Sequence, residues 1–179
     1  MNARTWLPCW KLTAADHTTH GGTQWGEGVT NPCGVLDGRN GLCSGSWYHA
    51  YESPYIGLLL NPTHADIANP VLWQAEYRGA VTDDFGRKFG ATELRTVRIV
   101  EVPVVTHTHR VAFAIYCAAQ ILAESRNEAW FSWAYKWLSG EDRSANAANA
   151  AAYSAYSANF NAEILETAIA WAFCVEDVT

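Results

Sequence analysis

Charged side chains are scarce in this chain of 179 residues, since Asp, Glu, Lys and Arg together make up 17%. Basic residues are the scarcer kind, with 12 Lys and Arg against 18 Asp and Glu, and the formal net charge is −6. Proteins that bind nucleic-acid backbones need a surplus of basic residues, so we expect no general nucleic-acid binding. The acidic excess is concentrated in residues 120–179, which carry eight acidic and three basic side chains.

Long apolar runs are also missing. No N-terminal segment combines a basic start with the apolar core of a signal peptide. No run approaches the roughly 20 residues that a membrane-spanning helix needs. The sequence therefore predicts a cytoplasmic protein that neither binds nor crosses a membrane.

Cysteines do not occur in paired spacings. There are five, which is an odd number: Cys9, Cys33, Cys43, Cys117 and Cys174. A disulfide framework typically has an even number of cysteines at regular spacings, so this pattern predicts reduced thiols. Cys33 and Cys43 flank a Gly-rich turn and are the pair that an oxidising environment would join.

Aromatic residues are abundant, with nine Trp in a chain that is 49% apolar. This composition is typical of globular proteins and not of disordered ones. In the first half, apolar and aromatic runs are bounded by turn-forming Gly, Pro and Asp, which predicts β-strands and one short helix. We expect strands at Leu7–Thr13, Trp47–Tyr51, Val71–Val81 and Arg95–Val105, and a helix from Pro54 to Leu60 that Asn61 and Pro62 end.

The hydrophobic period changes from two residues to 3.6 after Thr106. Apolar residues then recur at helical spacing, which predicts a helix over about residues 108–124. The members of this stripe are Val111, Ile115, Ala118, Ala119 and Leu122.

Two further helices are predicted, one from Arg126 to Leu138 and one across the Ala-rich stretch that begins near residue 139. The fold class is therefore α+β. We expect a small mixed or antiparallel sheet in residues 1–105, followed by about three helices in residues 106–179 that pack on it.

His49, Glu52 and Ser53 lie in the segment WYHAYES, at the end of the second predicted strand. Histidine acts as an acid or a base and serine supplies a positioned hydroxyl, so these residues form a candidate reaction site. The segment lacks a nucleophile elbow, and the Gly-rich segment 21–41 lacks the Lys and Ser/Thr ending of a phosphate-binding loop. A structural histidine at a strand end is the alternative interpretation.

Two histidine pairs, His17 with His20 and His107 with His109, have spacings that metal ligands also show. Neither pair lies beside a pair of cysteines or a helical carboxylate, which would complete a zinc site. His107 and His109 occur where the last strand changes to a helix, a position that suits polar capping. We therefore expect loop or capping histidines and no metal.

Trp130, Trp133 and Trp137 recur at steps of three and four residues, so they share one face of a helix. This face either packs on the rest of the protein or contacts a protein partner, since Trp is a common interface anchor. The Ala-rich stretch Ser144–Asn161 also has two interpretations. It is a helix within a bundle, or it is the surface through which a homo-oligomer assembles.

Several short motifs resemble those of a widespread family of small bacteriophage and prophage proteins of unknown function. They include CWKLTAADHTTHGG, the W-x-x-G of Trp25 and Gly28, LCSGSWYHAYES, VLWQAEYRGAV and LRTVRIVEV, in this order. The family pattern is approximately a lysine strand, W/Y-x-x-G, L-C-x-x-G-F-H-x-x-x-S, V-x-A-x-G and I-R-I-V. The resemblance covers about residues 9–102. This chain differs by the insertion of Ser46 and Trp47 and by Tyr48 in place of the usual Phe.

The order of these motifs is also similar to that of the ADP-ribosyltransferase core. That resemblance implies a cleft for a nucleotide, with NAD as the cofactor. Lys11 stands where those enzymes carry His or Arg. The residues implied are Lys11, Trp47 and Tyr51 for ligand binding, and His49, Ser53 and Glu101 for catalysis.

The leading hypothesis is a phage-type accessory protein in the host-cell cytosol that binds a protein partner and does not catalyse a reaction. Its basis is the acidic, Trp-rich helical half and the lack of a complete catalytic set. A component of host defence is one such partner. Two alternatives remain open: an NAD-dependent ADP-ribosyltransferase-like enzyme or nucleotide binder, and a structural protein that assembles through its Ala-rich helix.

Overall fold

The computed structural model describes residues 5–31, 41–42, 44–122, 127–143 and 162–175. The chain divides into two units, Met1–Val104 and Val105–Thr179. A mostly antiparallel sheet in the first half is followed by helices, which confirms the predicted α+β class. The strands are β1 (Leu7–Thr13), β2 (Thr18–Thr19), β3 (Thr23–Gln24), β4 (Thr30–Asn31), β5 (Tyr48–Ala50), β6 (Val71–Asp83) and β7 (Phe89–Val100), and the helices are α1 (Pro54–His64), α2 (His107–Leu122), α3 (Glu128–Leu138) and α4 (Ala162–Ala172).

The first unit is built on the long hairpin of β6 and β7. β1 pairs with the outer edge of β6, while β4 and β5 pair with different parts of the outer edge of β7, all antiparallel. The pairing of β6 with β7 shifts register between Arg78 and Val81. Gly79 lies in this bulge with φ +96, and a Cβ atom there would overlap Thr92 Oγ1, so this site requires glycine.

One residue pair, Trp10 with Tyr51, connects β1 to the chain that follows β5. The backbone of Trp10 in β1 donates to Tyr51 O at 2.8 Å and accepts from Tyr51 N at 2.9 Å. Tyr51 directly follows β5, which pairs with β7 on its other side. The sheet therefore curls around one buried cluster, which contains Cys9, Trp25, Ala50, Ala75, Phe89, Ala91 and Leu94, with Tyr48 and Tyr77 packed against it.

The opposite face of β6 and β7 carries polar pairs across the two strands. Arg78 Nε donates to Glu93 at 2.7 Å, and Arg95 Nε donates to Glu76 at 2.6 Å. The ring of Trp6 lies 4.4 Å from the guanidinium carbon of Arg78 and 4.3 Å from that of Arg95. Because polar and apolar residues alternate along a strand, this arrangement leaves the other face of the hairpin for the core.

The predicted end of α1 is wrong. We expected Asn61 and Pro62 to end the helix after Leu60, yet α1 continues to His64 with Pro62 inside it. The Asn61 side chain donates to Ile67 O at 2.9 Å and accepts from Ile67 N at 3.1 Å. The backbone carbonyl oxygen of Asn61 also accepts a hydrogen bond from Ala65 N at 3.0 Å. These bonds hold the following loop on the last turn, which offsets the hydrogen bond that proline cannot donate.

Strand boundaries also differ from the predictions. β1 has the predicted bounds Leu7–Thr13, whereas β5 is shorter than predicted, and β6 continues to Asp83. Only Arg95–Val100 of the predicted strand Arg95–Val105 lies in β7, which begins earlier than predicted, at Phe89, and ends at Val100. The segment after Val100, which contains Pro103, has no strand structure, consistent with the missing proline N–H.

In the second unit, α2 begins with a reciprocal cap. Thr106 Oγ1 accepts from His109 N, and His109 Nδ1 accepts from Thr106 N, both at 3.2 Å. Aromatic contacts connect α2 with the α4 region, because the His109 and Phe173 rings lie 4.3 Å apart and those of Tyr116 and Trp171 lie 5.5 Å apart. Within the described ranges, no helix combines the length and the apolar character needed to cross a membrane.

Candidate ligand-binding site

The first unit contains a cavity of about 690 Å³. Its lining comes from the end of β1, the β2–β3 hairpin, the chain leading into β5, the last turn of α1, and Lys88 at the start of β7. Five basic side chains and three aromatic rings contribute to it. They are Lys11, Lys88, His20, His49 and His64, and Trp47, Tyr48 and Tyr51.

Lys11 is the buried cation of this cavity, with 6% of its surface exposed. Its Nζ atom donates to the carbonyl oxygen of His49 at 2.7 Å and lies 4.9 Å from the centroid of the Trp25 ring. Burial lowers the pKa of Lys11 to about 8, so the amine is still mostly charged at neutral pH. Among the described residues, no carboxylate forms an ion pair with it. The contacts of its amine within the described part of the chain are the carbonyl dipole of His49 and the aromatic face of Trp25.

The position of Lys11 in β1 explains why it is buried. Lys11 lies on the same face of β1 as the buried Cys9 and Thr13, and Leu12 on the other face is buried as well, so both faces of the end of this strand are covered. The flanking thiol does not supply a counter-charge, because burial raises the pKa of Cys9 to about 12 and keeps it neutral. Lys11 is thus aligned by the strand and not by an ion pair.

His49 and His64 place two imidazoles on the same lining. His49 Nε2 lies 2.5 Å from the carbonyl oxygen of Leu42, and a carbonyl only accepts, so Nε2 carries the proton. Burial lowers the pKa of His49, and the charges of Lys11 and Lys88 lower it further. Burial likewise lowers the pKa of His64 to about 4, so this ring is neutral at physiological pH.

Tyr51 forms a rigid part of the aromatic wall. Its backbone is paired with Trp10, and its ring lies parallel to that of His64, with centroids 6.4 Å apart and an interplanar angle of 11°. Gly57 of α1 approaches the ring so closely that a Cβ atom there would lie 3.0 Å from it. Burial raises the pKa of the Tyr51 phenol, which therefore stays neutral. These contacts leave the ring little freedom to move.

The structure brings together four of the six residues that the resemblances implied. Lys11, Trp47, His49 and Tyr51 all contribute to the cavity lining. Ser53 and Glu101 are not among the described lining residues. Ser53 instead caps α1, where its hydroxyl accepts from Tyr55 N at 3.2 Å. Glu101 is exposed and follows the end of β7.

Sequence reasoning did not assign His20, His64 or Lys88 to this site. His20 was considered only as part of a metal pair, although its position in a Gly-Gly turn places its side chain at a hairpin end. Its Nε2 atom lies 3.1 Å from the carbonyl oxygen of Ala65, beyond the end of α1. His64 and Lys88 reach the cavity through tertiary pairing, for which the sequence has no local signal.

The histidine pairs have separate environments. The ring of His17 packs edge-on against Trp73, with centroids 5.1 Å apart, while His20 reaches the α1 end. His109 takes part in the cap of α2, and His107 is exposed. Over the described ranges, no group of three or more His, Cys, Asp or Glu side chains is arranged to hold a metal ion.

The tryptophans of α3 are covered to different degrees. Trp137 is 1% exposed, whereas Trp130 and Trp133 are half-buried and their rings lie 6.1 Å apart. Tyr135, on another face of α3, is 71% exposed. Trp137 therefore packs inside the second unit, and a protein-contact role for the three tryptophans stays a prediction. The Ala-rich stretch Ser144–Asn161 and the Cys33–Cys43 pair lie outside the described residues.

Comparison with protein-family models, curated proteins and solved structures finds no match to this chain. The resemblances to a phage protein family and to the ADP-ribosyltransferase core therefore stay predictions.

Proposed function

We propose that the first unit binds a small anionic ligand with a planar ring, of the nucleotide class, in the cavity beside Lys11. The main support is that five basic side chains and three aromatic rings line the same cavity. None of the described lining residues is Asp or Glu. Counted in the same way, with neutral histidines, the described lining carries two positive charges from Lys11 and Lys88, whereas the whole chain has a net charge of −6.

The charge of Lys11 favours an anion. A buried ammonium without a carboxylate partner is costly, and an anionic group in the cavity would compensate it. Lys88 adds a second cationic side chain to the lining, and the three histidines add imidazole nitrogens that can form hydrogen bonds. Phosphate is a suitable anion, because lysine and histidine both donate hydrogen bonds to its oxygens.

The aromatic side of the lining favours a planar ring. Trp47, Tyr48 and Tyr51 contribute aromatic side chains to the lining, and a planar base or another aromatic group packs well against such rings. The volume of about 690 Å³ lies within the usual range of roughly 300–1,000 Å³ for small-molecule sites. A nucleoside phosphate combines both features, a planar base and an anionic group.

The geometry supports binding more directly than group transfer. The predicted transferase chemistry would use Glu101 and Ser53, and neither is among the described residues of the lining. Ser53 is already engaged as the helix cap. We therefore propose a binding role, with the nucleotide as ligand, and leave catalysis out of the proposal.

Calorimetric titration of the full chain at low salt tests this function. We expect AMP, NAD or ADP-ribose to bind and adenosine, which lacks the anion, to bind about tenfold more weakly. Lys11→Met should weaken AMP binding by about tenfold or more. Lys136→Met is the matched control, because it removes the same charge from an exposed position in the second unit.

Two results would overturn the proposal. One is the absence of a binding heat with any of the phosphorylated ligands at millimolar concentration. The other is an unchanged AMP affinity in a Lys11→Met variant whose circular dichroism and melting behaviour show that it is folded.

Binding of a protein partner through the second unit stays a separate prediction. It concerns Trp130, Trp133 and Trp137, of which Trp137 is buried. A role against host defence, and a homo-oligomer formed through the Ala-rich stretch, stay predictions of the same kind.

A further inference from the structure

We infer that Lys11 forms an imine with the carbonyl group of an anionic aldehyde or ketone bound in the cavity. This inference rests on the proposed function, because the same basic and aromatic lining would hold the carbonyl compound. It goes further by assigning the amine a covalent role and by naming a chemical class of ligand.

The first support is the placement of the amine. Lys11 belongs to the cavity lining, and β1 fixes its backbone through pairing with β6 opposite Trp73. The Nζ atom is further oriented by the carbonyl oxygen of His49 at 2.7 Å and by the Trp25 ring at 4.9 Å. None of these partners carries a negative charge that would hold the amine in its protonated form.

The second support is the protonation state that this environment favours. Imine formation needs the neutral amine, and desolvated lysines supply it most readily. With a pKa of about 8, Lys11 is neutral in roughly one molecule in ten at pH 7. A lysine with the ordinary pKa of about 10.4 is neutral in fewer than one molecule in a thousand.

The reaction balances without an oxidant or a reductant. The ammonium first loses a proton to water, and the Nζ lone pair attacks the carbonyl carbon. The carbonyl oxygen takes up a proton to give a carbinolamine. The nitrogen then loses its remaining protons as the hydroxyl group leaves as water, and the products are a C=N bond and one water molecule. Neither carbon nor nitrogen changes its formal oxidation state, so the step is reversible by hydrolysis.

Pyridoxal 5′-phosphate is a suitable probe, because it joins a planar ring, a phosphate and an aldehyde in one molecule. Pyridoxine 5′-phosphate has the same ring and phosphate but an alcohol in place of the aldehyde, so it binds without reacting. The chain contains three lysines, Lys11, Lys88 and Lys136, which makes the site of reaction easy to assign. Lys136 is an internal reference, since half of its side chain is exposed in the second unit.

The experiment treats the full chain with the aldehyde, reduces any imine with borohydride, and maps the modified peptides by mass spectrometry. We expect labelling of Lys11 to exceed that of Lys136 by about tenfold or more, given the larger neutral fraction. Labelling of Lys11 should saturate with aldehyde concentration and fall when pyridoxine 5′-phosphate is added. Equal labelling of the three lysines, or labelling of Lys11 that pyridoxine 5′-phosphate does not reduce, would overturn the inference.

Lys11→Arg separates covalent capture from anion binding. Arginine keeps the positive charge and lacks a nucleophilic amine, so this variant should bind AMP more tightly than Lys11→Met does and should not be labelled at residue 11. If AMP and pyridoxine 5′-phosphate bind to the native chain but borohydride traps no adduct on Lys11, the imine inference fails and the proposed function stands. If neither compound binds, the proposed function fails as well.

Discussion

The amine of Lys11 and the carbonyl oxygen of His49 are joined by a part-buried hydrogen bond of 2.7 Å in the first unit. Lys11 belongs to β1 and His49 to β5, and among the described residues the backbone hydrogen bonds between these two segments are those of the Trp10–Tyr51 pair. The side-chain bond therefore fixes the position of the amine relative to β5. It leaves the amine charge without a carboxylate partner, and that cost to the folded state can be measured.

We expect Lys11→Met to stabilise the protein at neutral pH. The folded state lowers the pKa of Lys11 from 10.5 to about 8, so below pH 8 it carries the full cost of the buried charge. Methionine fills similar space without that cost, which should raise the free energy of unfolding by about 2 kcal/mol after loss of the hydrogen bond is included. Urea unfolding at pH 7 measures the difference.

The pH dependence of this effect has a defined direction. Between pH 8 and 10.5 the unfolded chain binds more protons at Lys11 than the folded chain, so the stability of the native protein rises with pH relative to Lys11→Met. The advantage of the variant should therefore shrink as pH increases through this window. A constant difference from pH 7 to 10 would contradict the buried charge.

Gly57→Ala should weaken ligand binding without a large change in stability. The new Cβ atom would lie 3.0 to 3.3 Å from three carbons of the Tyr51 ring and would displace that wall of the cavity. Alanine gains about 1 kcal/mol of helix propensity, which offsets the cost of moving the ring. We expect AMP affinity to fall about fivefold, roughly 1 kcal/mol. Gly41→Ala is the control, because no atom of the described residues lies within 4 Å of its Cβ position.

His64 should make the first unit sensitive to acid. Burial lowers the pKa of His64 from its ordinary value of about 6.5 to about 4, so the unfolded chain binds a proton at His64 before the folded chain does. The free energy of unfolding is therefore unaffected by His64 above pH 6.5 and decreases as pH falls towards 4. Because the His64 ring is partly solvated, we expect this decrease in the free energy of unfolding to be about 1–2 kcal/mol. His64→Phe keeps a ring beside Tyr51 and cannot titrate. Its stability should fall less between pH 6.5 and 4, whereas His107→Phe, at an exposed position, should fall as the native protein does.

Thr13→Val should destabilise the first unit by about 1–3 kcal/mol. The hydroxyl of Thr13 accepts from the indole nitrogen of Trp73 at 3.0 Å, and both residues are at most 1% exposed. Valine has nearly the same shape but leaves this buried N–H without its acceptor. Thr13→Ser keeps the hydroxyl and should lose less. Chemical unfolding followed by Trp fluorescence compares the two, and equal stability of native and valine forms would exclude a role for this bond.

Local patterns in the sequence predict much of the fold. The alternation within the segment LPCWKLT predicts β1 with its observed bounds, and the change of period after Thr106 predicts the start of the helical half. The end of α1 could not be predicted this way, because bonds from Asn61 to the following loop decide it. A local pattern reports which faces are apolar, but not which distant backbone groups they meet.

The candidate site was predictable only in part, for the same reason. The chemistry of His49 beside Glu52 and Ser53 in WYHAYES makes it a candidate, and Trp47 and Tyr51 are implied by the resemblance to the ADP-ribosyltransferase core. His64 and Lys88 join them only when β5 pairs with the start of β7 and α1 ends beside the β2–β3 hairpin. The meeting of these side chains in one cavity depends on pairing between distant parts of the chain, and residue type alone does not predict that pairing.

The isolated bridge between Trp10 and Tyr51 joins β1 to the residue after β5, and we call this single residue pair the latch. β6 and β7, in contrast, are paired at ten positions. Releasing the latch breaks two backbone hydrogen bonds and the Lys11–His49 bond and leaves the hairpin of β6 and β7 intact, so we expect it to open at a lower free-energy cost than the hairpin does. Amide hydrogen exchange at these two residues should then be faster than along the hairpin, and a compound that stacks on the Tyr51 ring should slow it by keeping the latch shut.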